Sequence, residues 1–148
     1  MTRDQPGTDI EHALRQLLEE RRQLLVYYCR AAGLNTAGEA HVVVDQLAVL
    51  KPLCQLLMDY YALWQFEIHD YLTENGALYP HALAELQQAS EILDQSRVIA
   101  VAFNDKYDFA SRSLNTDGLD NDLSVLGEEI AQQIGVEDRI IRAMGTPH

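Results

Sequence analysis

A chain of 148 residues, 47% of them apolar, is long enough to close one continuous core. Its formal net charge of −12 repels DNA, RNA and anionic lipid and favours contact with a basic protein surface, although the same charge also serves plain solubility. No run of about 18 apolar residues occurs and residues 1–8 hold no signal-peptide core, so a cytoplasmic location is expected.

Residues 1–8 read as a flexible N-terminus ahead of a single helical-bundle domain over 9–145. Thr8 or Asp9 can cap a first helix reaching Ala32, with Gly33 as its stop. Ile10, Ala13, Leu14, Leu17, Leu18, Leu24, Leu25 and Tyr28 recur at helical spacing along it. Asn35 to Gly38 reads as a loop. A second helix starts near Glu39 and carries Val43, Leu47 and Leu50. Pro52 is expected to interrupt it and to open a third helix.

That third segment, Leu53 to Phe66, is apolar almost all round, and Glu67 to Leu72 continues it or follows a bend. Asn75-Gly76 marks a break. From Leu78 to about Asp105 the pattern is again helical, with Leu83, Leu86, Leu93, Ile99 and Phe103 as candidate core. Asn115 to Asn121 reads as a loop, and Leu123, Leu126, Ile130, Ile134, Ile140 and Ile141 mark a last helix ended by Gly145. No strand alternation appears. The fold class expected is all-α: an antiparallel bundle of about four long helices with short extra helical segments.

The chemistry concentrates at Asp59. A helix apolar on all sides is either buried all round or covered by a partner. Gln55, Asp59, Ala62 and Phe66 share one of its faces. An unpaired carboxylate is too costly to bury, so one reading exposes this face to solvent, with Met58, Tyr60 and Phe66 around the acid as an interaction patch. The other reading buries the helix and pairs Asp59 with Arg21 or Arg22.

Other chemistries find little support. Cys29 and Cys54 lie in apolar helical windows and read as reduced core thiols. His41 with Asp45 and His69 with Asp70 suggest metal ligands only loosely, because no helix carries Glu-x-x-His, so they read as surface histidines and no metal or cofactor is expected. Glu137 shares a stripe with Ile130, Ile134 and Ile141 and reads as an ordinary edge residue. Neither a nucleophile constellation nor a phosphate-binding glycine loop occurs, so an enzyme is not expected.

Several segments, in order, resemble the regulator of sigma D (Rsd/AlgQ) family. Leu53-Cys54-Gln55-Leu56-Leu57-Met58-Asp59-Tyr60 is similar to its core motif Phe-Cys-Gln-x-Leu-Val-Asp-Tyr. Glu20 to Leu25 with Tyr27-Tyr28, Phe66-Glu67-Ile68, Ala102 to Asp105, Leu123 to Gly127 and Val136 to Ile141 resemble further family segments. The resemblance implies an anti-sigma factor. Such a protein binds region 4 of the primary sigma factor, a basic helix-turn-helix that reads the −35 promoter element and docks on core RNA polymerase. It implies that Asp59 belongs to the sigma-binding surface. The contact set is then Gln55, Met58, Asp59, Tyr60, Phe66 and Glu67, with Arg21 on the first helix, in a monomer or weak dimer.

The chain departs from the family where Asp-Arg-Trp is replaced by Arg15-Gln16-Leu17 and Ser-Ala-Gly-His-Phe by Ala62-Leu63-Trp64-Gln65-Phe66. The region from Leu78 to Ile99 aligns poorly. Two alternatives stand beside sigma binding: a metal- or ligand-binding bundle, and an adaptor that regulates a metabolic enzyme through the same acidic face.

Overall fold

The computed structural model describes residues 6–33, 46–108 and 117–145, and among them there is no strand. The helices are α1 (Pro6–Ala31), α2 (Gln46–Leu63), a π-helical segment (Trp64–His69), α3 (Asp70–Glu74), α4 (Pro80–Gln88), α5 (Ser90–Tyr107) and α6 (Leu119–Met144), with a 3-10 turn at Gly76–Leu78. The all-α expectation therefore holds. The loop expected at Asn35 to Gly38, the helix start near Glu39 with Val43, and the His41–Asp45 pair lie outside the described residues.

Contacts between elements give the helix directions. Arg21 meets Asp138 while Tyr28, further along α1, meets Leu123, so α1 and α6 run antiparallel. Tyr107 bonds Asp122 and Ser96 bonds Glu129, which makes α5 antiparallel to α6. Tyr61 meets Ser96 and Cys54 lies near Asp108, so α2 and α5 are antiparallel as well. Short α4 packs on α6 and α5, with Glu85 reaching Arg139. The interior is one apolar cluster drawn from every one of these helices.

Four local expectations need correction. First, α1 is already helical at Pro6, so Asp9 is a first-turn acid favoured by the helix dipole and not the cap. Second, α2 runs through Pro52 without a break. The missing N–H leaves the carbonyl of Ala48 without its donor, and Ala48 is exposed, where water can take up that bond. Third, the pattern from Leu78 to Asp105 is two helices, broken at Ala89. Fourth, Leu18 and Leu25 are exposed, because Ile10, Ala13, Leu17, Leu24 and Ala31 fill the inward stripe of α1.

Beyond α2 the chain stays helical. The Asp70 N–H bonds Gln65 O, an i to i−5 step. Trp64, Ile68 and Leu72 are buried at four-residue intervals, a spacing that the wider π turn keeps on one side. Gly127 permits a close crossing: a Cβ there would overlap the Tyr28 hydroxyl, which donates to Leu123 O at 2.7 Å.

Candidate protein-interaction surface

The outer face of α2 and of the π-helical segment that continues it carries Gln55, Asp59, Ala62 and Phe66, all exposed, while Leu53, Leu57, Tyr60, Tyr61 and Trp64 fill the inner face. Phe66 is 67% exposed, the most exposed large apolar side chain among the described residues. Asp59 accepts from the Gln55 amide at 3.2 Å. Neither arginine offered as its partner reaches it: Arg21 turns to Tyr60, Glu137 and Asp138, and Arg22 to Glu19. Met58 is half-buried beside this face and Glu67 is exposed at its end. The acid therefore lies in solvent on the same side of the helix as an uncovered aromatic ring, a combination that suits contact with another protein.

Tyr60 and Arg21 are not part of that face. Tyr60 is 0% exposed, because the i+1 step from Asp59 turns it into the core. Its hydroxyl accepts from Arg21 Nε at 3.1 Å and donates to Glu137. Arg21 Nη1 donates to Asp138 at 2.9 Å and Nη2 to Glu137 at 3.0 Å. Gln133 Nε2 donates to Glu137 Oε2 at 2.8 Å. Both residues thus hold the bundle together from within.

Glu137 is likewise no edge residue: it is fully buried, and Tyr60, Gln133 and Arg21 all donate to it. Burial pushes its carboxyl above the usual range, against the opposing pull of these donors. Arg21 is held above its ordinary value by the tyrosine and the two acids, which outweigh its own desolvation. Glu137 falls on an isoleucine stripe in the sequence, and that was the available signal: an acid on a buried stripe demands a cation. Its partner stands 116 positions away, beyond the reach of any spacing rule.

The histidine and cysteine readings fare differently. His69 is half-buried beside Asp70 at 3.3 Å. Among the described residues, no three His, Cys, Asp or Glu side chains gather as a metal site, and no helix is long and apolar enough to cross a membrane. Cys54 is buried, its thiol pushed up to about 12 by desolvation, and Cys29 is half-buried; both are free.

A family described as regulator of RNA polymerase sigma(70) subunit, Rsd/AlgQ, matches residues 4–145. A regulator of sigma D from Pectobacterium carotovorum is 28% identical over 129 residues, covering 86% of this chain and 84% of the relative. Proteins of the same name from Yersinia enterocolitica (26% over 132 residues, 86% of this chain and 77% of the relative) and Sodalis glossinidius (26% over 127 residues, 86% and 83%) are also similar. No solved structure matches significantly.

Proposed function

The chain belongs to the Rsd/AlgQ family of regulators of the RNA polymerase sigma(70) subunit, and from that premise we propose that it is an anti-sigma factor. It holds region 4 of the primary sigma factor on the outer face of α2 and keeps it from core polymerase and from promoter DNA. The protein acts in the cytoplasm, where the polymerase is.

One observation carries this reading: Asp59 is exposed, bonded to Gln55, and reached by no cation of its own chain among the described residues, with Phe66 uncovered on the same face. A basic DNA-reading helix supplies what that face lacks, a positive group for Asp59 and an apolar surface for Phe66. The net charge of −12 steers the encounter. Replacement of the family's Ser-Ala-Gly-His by Ala62-Leu63-Trp64-Gln65 alters the floor beside Phe66, so affinity for a given sigma factor is tuned there.

The test is a titration of the purified chain with region 4 of its own organism's primary sigma factor. A one-to-one complex is expected, weakened by added salt and by Asp59→Ala. Failure of the wild-type chain to bind any region 4 from that organism refutes the proposal.

A further inference from the structure

α5 buries Leu93, Ser96, Ala100, Phe103 and Tyr107 at steps of three and four residues. Glu91, Asp94, Val98, Val101 and Asp105 follow the same steps on its opposite side, and every one of them is exposed. Val98 is 57% exposed and Val101 41%. This second stripe is apolar at its middle and acidic at both ends, and no element among the described residues buries it.

The stripe runs beside the outward line of α2. Between the two lies a hollow of about 470 Å³, with Met58, Ala62 and Phe66 on one side and Val101 on the other. The hollow opens at Ala62, where that line has its smallest side chain. Its polar wall is satisfied from within. Tyr61 bonds Ser96 at 2.6 Å, His69 meets Gln65 and Asp70 at 3.3 Å each, and Asp94 holds Arg97 at 3.1 Å. An occupant therefore gains by burying apolar surface and finds no uncommitted polar group to direct it.

The edges of the groove add charge. Asp59 on one side and Glu91 and Asp105 on the other are exposed acids. The cations of α5 do not answer them, because Arg97 turns to Asp94 and Lys106 to Asp122. Lys51 opens the α2 line and pairs with none of the three. α2 and α5 are antiparallel, so Asp105 falls toward Gln55 and Glu91 toward Phe66. An apolar hollow between two helices, edged by unneutralised acids, suits a helix that carries apolar side chains on one face and basic ones beside them.

We propose that this groove seats an amphipathic basic helix of the docked partner. One of its apolar side chains fills the hollow between Ala62 and Val101, against Met58 and Phe66. Basic side chains flank it at Asp59 and Asp105. α5 is thereby the second half of the docking surface, absent from a contact set drawn on α2 alone. That the partner is a sigma region 4 rests on the function proposed above.

The test is calorimetric titration of region 4 into the wild type and variants, with urea midpoints alongside. Val101→Asp is expected to weaken binding about tenfold or more, although its added negative charge alone would strengthen attraction to a basic partner. Ala62→Phe fills the hollow and is expected to do the same. Asp105→Asn is expected to make the salt dependence of binding shallower. Leu18→Asp, on an exposed position of α1 outside the groove, is expected to stay within about twofold of wild type. Val98→Asp carries the comparison if Val101→Asp loses helix by circular dichroism.

A Val101→Asp chain that binds within about twofold of wild type, while Asp59→Ala weakens binding, overturns the part given to α5 and leaves the proposed function standing. A loss as large in Leu18→Asp overturns the groove, because the effect is then not local to it. An unchanged salt dependence in Asp105→Asn overturns the basic flank at that end. Failure of the wild type to bind region 4 overturns the proposed function and with it the occupant of the groove.

Discussion

Arg21 of α1 and Glu137 of α6 meet at 3.0 Å, and the carboxylate end of this pair is sealed from solvent. Removing one partner of a buried pair strands the other, at a cost of about 3–5 kcal/mol. Arg21→Ala should therefore lower the urea midpoint sharply. Glu137→Ala should cost less, because Arg21 retains Asp138 and Tyr60. The double change Arg21→Leu with Glu137→Leu removes both charges together and should recover most of the loss. An Arg21→Ala chain within about 1 kcal/mol of wild type would mean that Tyr60 and Gln133 satisfy Glu137 unaided.

Two adjacent positions of the core motif should separate stability from binding. Asp59 and Phe66 are exposed, so Asp59→Ala and Phe66→Ala should leave unfolding within about 0.5 kcal/mol of wild type. Phe66→Ala should weaken region 4 binding by about 1–2 kcal/mol. Tyr60→Phe takes one donor from Glu137 and should destabilise by about 1–3 kcal/mol, with binding by the folded fraction unchanged. Melting curves paired with binding isotherms test this. A Phe66→Ala chain that binds as wild type would remove that ring from the interface.

The exposed line Gln55, Asp59, Ala62 and Phe66 was legible in the sequence because it follows from helical spacing and the cost of burying an unpaired carboxylate. Leu17, Leu24, Leu86, Leu93 and Phe103 were legible as core by the same periodicity. What spacing misses is identity of partner. Tyr60 reads as part of the patch because it adjoins Asp59 in the chain, yet it turns inward, where Arg21 and Glu137 arrive from distant helices to satisfy its hydroxyl. Leu18 and Leu25 widen the apolar stripe of α1 beyond what its neighbours cover. Pro52 reads as a boundary because of its missing N–H, but the loss falls on the exposed Ala48 carbonyl and the helix tolerates it.

The two thiols should differ in reactivity. The thiolate is the reactive form, and desolvation holds the Cys54 thiol up at about 12, with Asp108 adding to the shift. A neutral maleimide should modify Cys29 first in the folded chain and reach Cys54 only through unfolding. Mass spectrometry of tryptic peptides after a short pulse reads the order. Equal labelling in native buffer would show that the α2–α5 contact opens readily around Cys54.

Buried tyrosines give the bundle an alkaline limit. Burial pushes the Tyr60 phenol above its ordinary 10.0, and the Glu137 charge and hydrogen bond push it further. Burial also raises Tyr61, against the opposing hydrogen bond with Ser96. Tyr28 and Tyr107 shift the same way, again chiefly by burial. Each group is neutral in the folded state at a pH where the unfolded chain already ionises. Its contribution is therefore fully present below pH 10.0 and is lost as pH rises from there through the folded values. Urea midpoints should stay level from about pH 7 to 9 and then fall, with tyrosinate absorbance rising together with loss of helix. Tyr61→Phe retains the ring and should make the fall shallower. Gradual tyrosinate formation for all seven tyrosines near pH 10, with the helix intact, would contradict the burial of Tyr60 and Tyr61.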